Sequence, residues 1–143
     1  MIIPKTTEEI ALMKEAAHVV SRTLGMLAKE VKPGVTTNTL NAMAEEFIRE
    51  QDAVPGFLGL YDCPATILTS VNEAVVHGLP TDIPLKEGDI VAIDCGAIKE
   101  GFYGDHAYTF EVGEVAAETK KLLEVTKQSL YLGIKEFKHG KSV

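Results

Sequence analysis

The sequence predicts an α+β fold, in which two helices come first, a block of antiparallel strands follows and a third helix comes last. Apolar residues recur every three or four positions at both ends of the chain, which is the periodicity of amphipathic helices. Residues 89–112 instead read as two adjoining strands separated by a short polar turn. Because helices and strands are segregated along the chain, a parallel βαβ arrangement is not expected.

The first two helices are predicted as an antiparallel pair. Thr6 and Glu9 have the spacing of a capping box at the start of helix one. Its apolar stripe comprises Ile10, Met13, Ala17, Val20, Leu24, Leu27 and Val31. Pro33-Gly34 ends this helix, and the next begins near Thr36 or Thr37. The second stripe comprises Leu40, Met43, Ala44, Phe47 and Ile48. A connection this short favours antiparallel packing.

The middle of the chain is predicted as a loop followed by strands. Residues 52–64 carry loop-forming proline and glycine. Two short strands are predicted at 65–69 and 74–77, and two longer ones at 89–99 and 101–112. A third amphipathic helix is expected over 117–137. Its inward residues are predicted to be Leu122, Val125, Leu130 and Ile134.

Composition limits the functional classes. The 143 residues predict a single domain over 1–143, and 45% hydrophobic with 24% charged residues is typical of globular proteins. The net charge of −7 argues against nucleic-acid binding and is compatible with cations. Cys63 and Cys95 form no CxxC pair and are expected to be free thiols. The sequence shows no signal peptide and no membrane-length apolar run, so a cytoplasmic location is expected.

The hairpin at 89–112 carries two aspartates that point to metal chemistry. With Lys99-Glu100 as a two-residue turn, Asp94 faces Asp105 directly. With Glu100-Gly101 as the turn, the register slides by two and both aspartates stay on one face, whereas a three-residue loop without a bulge would place them on opposite faces. Small residues surround them on that face: Ala92, Gly96 and Ala107. Two unpaired carboxylates repel each other, and divalent cations would remove that penalty. The alternative is a hydrated hairpin face with no ligand.

His77 is the second candidate functional residue. It ends a short apolar segment and precedes the turn Gly78-Leu79-Pro80, where an imidazole can contact a substrate or transfer a proton near neutral pH. The alternative is a surface histidine that caps a turn. His106 follows Asp105 and is predicted to point to the opposite face, so it is not proposed as a ligand. Cys95 shares the core face and is expected to be a buried thiol rather than a nucleophile.

Several segments together resemble the type I methionine aminopeptidases. They are Thr69-Ser70-Val71-Asn72-Glu73, Val76-His77-Gly78-Leu79-Pro80, Glu87-Gly88-Asp89-Ile90-Val91, Ile93-Asp94-Cys95-Gly96 and Gly101-Phe102-Tyr103-Gly104-Asp105. The Ile3–Met13 stretch and the Lys32–Thr37 link match as well, so the resemblance covers nearly the whole chain. It implies the N-terminal half of the pita-bread fold, with an antiparallel sheet covered on one face by helices.

The resemblance also implies an activity and its residues. The activity is removal of the initiator methionine from nascent chains whose second residue is small. Asp94 and Asp105 match two aspartates that ligate a dinuclear centre of divalent metals (Co, Mn, Fe or Zn), and His77 matches the histidine that contacts the substrate. Family members carry a second half with further His and Glu ligands, so this chain alone is expected to be inactive. Asp62, Cys63 and Leu68 depart from the family pattern near the methionine pocket.

Two further expectations follow from that resemblance. The alternative function is a non-catalytic peptide-binding or assembly module of the same fold. The sheet of a half-fold is expected to keep an unpaired edge and exposed apolar surface, which predicts self-association or a complementing C-terminal half. Nascent polypeptide N-termini are the expected partners, with no nucleic acid and no membrane.

Overall fold

The structure is a computed structural model that describes residues 3–141 and confirms the α+β prediction. Three α-helices, α1 (Thr7–Leu27), α2 (Thr37–Arg49) and α3 (Ala117–Glu136), flank four strands. The strands are β1 (Val54–Pro55), β2 (Ile67–Val71), β3 (Ile90–Lys99) and β4 (Phe102–Glu111). A short 3-10 turn covers Leu60–Asp62. Among the described residues, none of the helices is long and apolar enough to cross a bilayer.

All four strands form one antiparallel sheet around β3. β4 pairs with β3 along its whole length on one side. On the other side, β2 pairs with residues 91–95 and β1 with residues 97–98. The far edge of β4 has no partner strand within 3–141, so the unpaired sheet edge expected from the sequence is present in the described part of the chain.

Helices α1 and α2 cover one face of this sheet and form the core with it. The predicted capping box is confirmed, because the Thr6 amide donates to Glu9 Oε2 (2.8 Å) and the Glu9 amide donates to Thr6 Oγ1 (3.2 Å). The core face of β3 is fully buried, and it comprises Val91, Ile93, Cys95 and Ala97. Gly104 of β4 lies so close to α1 that a Cβ there would be 2.6 Å from the Ala16 carbonyl carbon.

The predicted helix stripes are correct where the helices meet the sheet and wrong at the ends of α1. Leu40, Ala44 and Ile48 of α2 are buried, as are Val20, Leu24 and Leu27 of α1. The N-terminal part of the α1 stripe is exposed, comprising Ile10, Met13 and Ala17. The helix also stops at Leu27 instead of continuing to Val31, since turns precede Pro33-Gly34.

The prediction for α3 is right in its extent and wrong in its orientation. The four residues expected to face inward are 49–62% exposed: Leu122, Val125, Leu130 and Ile134. The helix lies beside β4, with Lys127 Nζ 5.1 Å from the Tyr108 ring centroid. Periodicity identifies an apolar stripe but not the surface that covers it. Here no residue of α3 is buried within the described chain.

The strand predicted at 74–77 does not form. Asn72 and His77 both adopt positive φ angles, 52° and 60°, which are incompatible with extended strand. The chain instead makes a loop whose base is closed by hydrogen bonds. The Asn72 side-chain amide donates to Asp89 Oδ1 (2.9 Å), and the Ile90 amide donates to Asn72 Oδ1 (3.0 Å). The Lys86 amide donates to Asp89 Oδ2 (2.8 Å).

This loop base predicts a pH dependence of stability. Hydrogen bonds from Asn72 and the Lys86 amide lower the pKa of Asp89 below its usual value. A lowered carboxyl pKa contributes stability above the unfolded-state pKa of about 4, and that stability disappears as the pH falls through the folded-state pKa. We expect Asp89→Asn to cost about 1 kcal/mol at pH 7. The difference from wild type should shrink towards pH 2–3 in urea denaturation, and a constant difference would contradict this role for Asp89.

Candidate metal centre

The turn of the long hairpin determines where the two aspartates lie. Lys99 pairs with Phe102, so the turn residues are Glu100 and Gly101, with φ angles of 51° and 78°. Two consecutive positive φ angles define a type I′ turn, which favours glycine. The prediction of a Lys99-Glu100 turn is therefore wrong, because that turn would contain no glycine. The Glu100-Gly101 alternative is confirmed.

The carboxylates share one face of the sheet, as the alternative register predicts. Asp94 pairs with Ala107 and Asp105 pairs with Gly96. The two aspartates are therefore diagonal neighbours rather than directly opposite each other. Diagonal positions lie about 7–8 Å apart along the backbone, still within reach of side chains, and the Asp94 and Asp105 carboxyl groups approach closely enough to interact. The helix-facing side chains of β3 lie on the other face of the sheet.

The Asp94 carboxyl is placed at an energetic cost. Its Oδ1 atom is buried and has no hydrogen-bond partner. Burial raises the pKa of Asp94, the neighbouring Asp105 carboxylate raises it further, and His77 acts in the opposite direction. Burying an acceptor without a donor destabilises the fold. The site therefore contains an oxygen atom that a cation would satisfy. Asp105 is exposed on the same face.

Part of the space beside the aspartates is filled, which the sequence interpretation missed. A Cβ on Gly96 would be 2.6 Å from Cε1 of Phe57, so the Phe57 ring lies against this glycine. The Gly56 amide donates to the Gly96 carbonyl (2.8 Å) and brings the ring there. Gly56 and Gly96 are the sequence signal of such a close approach. Phe57 is consequently an apolar wall beside the register position of Asp105.

His77 is brought to the same region by the loop that follows β2. It is exposed, and its electrostatic effect on Asp94 indicates proximity to that carboxyl. The adjacent Gly78 carbonyl accepts a hydrogen bond from the Thr69 amide (2.7 Å). Leu68, the residue before Thr69, pairs with Asp94. His77 thus approaches Asp94 from the β2 side of β3, and Asp105 lies on the β4 side.

The remaining candidates fall outside this region. His106 pairs with Cys95 on the opposite face from Asp105, as predicted. Burial raises the pKa of the Cys95 thiol to about 12, with smaller contributions from Asp94 and Asp105. This confirms that Cys95 is a buried thiol and not an activated nucleophile. Cys63 is partly exposed, and both cysteines are free.

The chain belongs to metallopeptidase family M24. The family model matches residues 11–143, which is most of the sequence. Membership of a metallopeptidase family implies the use of a divalent metal.

The similar proteins are methionine aminopeptidases, which confirms the resemblance inferred from the motifs. The methionine aminopeptidase of Clostridium acetobutylicum is 48% identical over 95% of this chain and 55% of its own length. Methionine aminopeptidase 1 of Bacillus subtilis is 47% identical over 98% of this chain and 56% of its own length. The chain thus spans about half the length of these curated relatives.

Solved structures support the fold directly. The methionine aminopeptidase of Thermotoga maritima superposes with a TM-score of 0.93 at 40% identity, covering 96% of this chain and 56% of that one. The Rickettsia prowazekii enzyme gives 0.90 at 40% identity over 92% and 53%. The predicted half of the pita-bread fold is therefore confirmed.

The residues present fit part of a divalent metal site. Carboxylate oxygens are ligands for divalent metals such as Mn, and the partnerless Asp94 Oδ1 is an unused one. No group of three or more His, Cys, Asp and Glu side chains is gathered for a metal within residues 3–141.

Proposed function

We propose that this chain provides the Asp94–Asp105 half of the metal site of a methionine aminopeptidase. The activity is removal of the initiator methionine from nascent polypeptides whose second residue is small. The observation that carries the proposal is the buried, partnerless oxygen of Asp94 on the same sheet face as Asp105. The proposal takes residues 1–143 as one domain and places its action in the cytoplasm, where nascent chains are made.

Each residue has a distinct role in this proposal. Asp94 and Asp105 hold two divalent ions of the Mn, Fe, Co or Zn class together with ligands outside the described residues. A divalent metal bound there supplies Lewis-acid polarisation of a peptide carbonyl and activation of water. His77, exposed at the loop end, hydrogen-bonds the substrate peptide. Phe57 provides an apolar wall for a substrate side chain next to Gly96.

Metal titration tests the proposal. We expect Mn²⁺ to bind weakly to the wild-type chain in calorimetry, and Asp105→Asn to weaken binding by at least about tenfold, since losing even a supporting partner of a ligand costs 10–100-fold. Asp52→Asn is the matched control, because Asp52 is an exposed aspartate outside the site. Equal Mn²⁺ affinity in the wild type and Asp105→Asn would reject the site.

A second candidate function is a peptide-binding or assembly module without catalysis. The observation that favours it is that the described residues gather no group of three or more His, Cys, Asp and Glu side chains for a metal. Release of methionine from a Met-Ala-Ser peptide distinguishes the two functions. We expect negligible turnover by the 143 residues alone. Peptide binding without turnover, even after a complementing C-terminal half is added, would favour the module.

The surface beside β4 predicts association with another chain, and we propose that the occupant is either a second copy or a complementing C-terminal half. Strand β4, whose far edge is unpaired, and helix α3 line a half-open cavity of about 810 Å³, and its lining includes Tyr108, Lys127 and Leu130. Both unpaired edges and large apolar patches favour association. Light scattering should show a mass that rises with concentration.

A pair of leucines on α3 provides the control for this association. Leu130 lines the cavity, whereas Leu132 lies outside the cavity lining and is equally exposed, at 62% and 61%. Leu130→Gln should reduce the association more than Leu132→Gln does. A monomer at all concentrations would contradict the prediction, and a complementing C-terminal half that abolishes association would identify the competing occupant.

A further inference from the structure

The segment that carries His77 has little apolar anchoring. Val75 and Val76, which precede His77, are 84% and 65% exposed. His77 itself is exposed and has a φ of 60°, a left-handed conformation that a non-glycine residue adopts only when its surroundings impose it. Packing therefore does not fix the position of this histidine. Its position must be set by hydrogen bonds to neighbouring structure.

Those hydrogen bonds converge on the next residue, Gly78. Its carbonyl accepts from the Thr69 amide (2.7 Å), and its amide donates to Ser70 Oγ (3.1 Å). A Cβ on Gly78 would overlap the Thr69 carbonyl oxygen, so the two backbones are in direct contact. Together these contacts tie the residue after His77 to β2 at two consecutive positions.

Ser70 occupies a position that connects this tether to the aspartate face. It pairs with Ala92, which is two residues from Asp94 along β3, so Ser70 and Asp94 share a face of the sheet. Ser70 is only 4% exposed, so water is a poor substitute for its hydroxyl. Without that hydroxyl, the Gly78 amide would lose the oxygen to which it donates its hydrogen bond.

We propose that Ser70 is the positioning residue of His77: its hydroxyl accepts from the Gly78 amide and thereby fixes the imidazole relative to the Asp94 strand. The inference rests on the proposed function, because it gives His77 a substrate to contact. Ser70 itself touches neither substrate nor metal in this proposal. It acts through the backbone of Gly78.

The adjacent residue supplies a matched control. Thr69 Oγ1 is also buried, 4% of Thr69 is exposed, and this hydroxyl has no hydrogen-bond partner. Ser70→Ala and Thr69→Val thus each remove a buried hydroxyl from β2, but only the first removes one that holds Gly78. If Ser70 were merely a buried strand residue, the two variants would affect the His77 segment alike.

The test uses NMR of the metal-free 143-residue chain. In the wild type, the Gly78 amide should exchange with solvent slowly. In Ser70→Ala its exchange should accelerate by about fivefold to tenfold, as expected for the loss of one hydrogen bond, and the His77 imidazole resonances should shift or broaden. Thr69→Val should change neither the exchange rate of the Gly78 amide nor the His77 imidazole resonances. Ser70→Thr, which keeps the hydroxyl, should show slow exchange of the Gly78 amide, as in the wild type.

Two results would overturn the inference. One is fast exchange of the Gly78 amide in the wild type, a measurement that does not depend on any variant folding. The other is a folded Ser70→Ala chain with unchanged His77 resonances. Failure of the proposed function looks different: the exchange results hold, but His77→Ala leaves Met-Ala-Ser binding unaffected when a complementing C-terminal half is present.

Discussion

A single added methyl group at Gly104 is expected to lower the free energy of unfolding by about 2–3 kcal/mol. Gly104 lies where β4 crosses α1, and a Cβ there would be 2.6 Å from the Ala16 carbonyl carbon and 2.8 Å from the Ala17 amide nitrogen. These are backbone atoms, so they cannot rotate away as a side chain does. Gly104→Ala must therefore push α1 away from β4, and the displacement occurs at the residue before Asp105.

Urea denaturation measures this effect, and Gly25→Ala is the matched control. Gly25 belongs to α1, the helix against which Gly104 packs, and a Cβ on Gly25 would meet no atom within 4 Å. Alanine is about 0.5–1 kcal/mol more favourable than glycine inside a helix, so Gly25→Ala should be more stable than the wild type. The same substitution is therefore expected to have opposite signs at the two positions. A neutral Gly104→Ala variant would show that α1 does not pack on β4 at this distance.

The second large effect is that Asp94→Asn should change the free energy of unfolding in opposite directions without and with metal. In the metal-free chain, Asp94→Asn should raise the free energy of unfolding by about 1–2 kcal/mol, because it removes a buried carboxylate whose Oδ1 has no partner. Asparagine also carries no charge for the neighbouring Asp105 carboxylate to repel. With Mn²⁺ at 100 times its dissociation constant, the wild type should gain about 2.7 kcal/mol that the variant lacks.

Thermal denaturation with and without Mn²⁺ checks this reversal. Without metal the variant should melt above the wild type, and at high Mn²⁺ below it. Asp52→Asn should follow the wild type under both conditions, since Asp52 is exposed and lies in the turn before β1, outside the paired strands. An Asp94→Asn chain that gains as much from Mn²⁺ as the wild type would remove Asp94 from the metal site.

Local signals in the sequence predicted what local interactions determine. The capping box at Thr6 and Glu9 formed because both partners lie within one turn. The shared face of Asp94 and Asp105 followed from the alternation of strand side chains. The turn residues were misassigned because two registers separated by two residues give the same alternation. Only the φ requirements of Glu100 and Gly101 distinguish the registers.

Features that depend on distant neighbours could not be obtained in this way. The orientation of α3 depends on its contacts with β4. The apolar periodicity around Leu122 does not show whether another part of the protein covers that side of the helix. Gly56 and Gly96 indicate a close approach, but the sequence does not show that the Phe57 ring is the group that lies against Gly96. The segment at Val75 and Val76 has the composition of a strand, yet it forms a loop because hydrogen bonds hold Gly78 against β2. Tertiary contacts overrode strand propensity there.

The type I′ turn at Glu100-Gly101 also bears on how the molecule folds. Only two residues join β3 to β4, so the residues that pair near the turn are also close together in sequence. Hairpins of this kind form in about 1–10 μs. The acidic pair is therefore expected to assemble early, before the helices dock. A cation present during synthesis would then meet both carboxylates on a nascent hairpin, and it would act on the folding chain as well as on the finished protein.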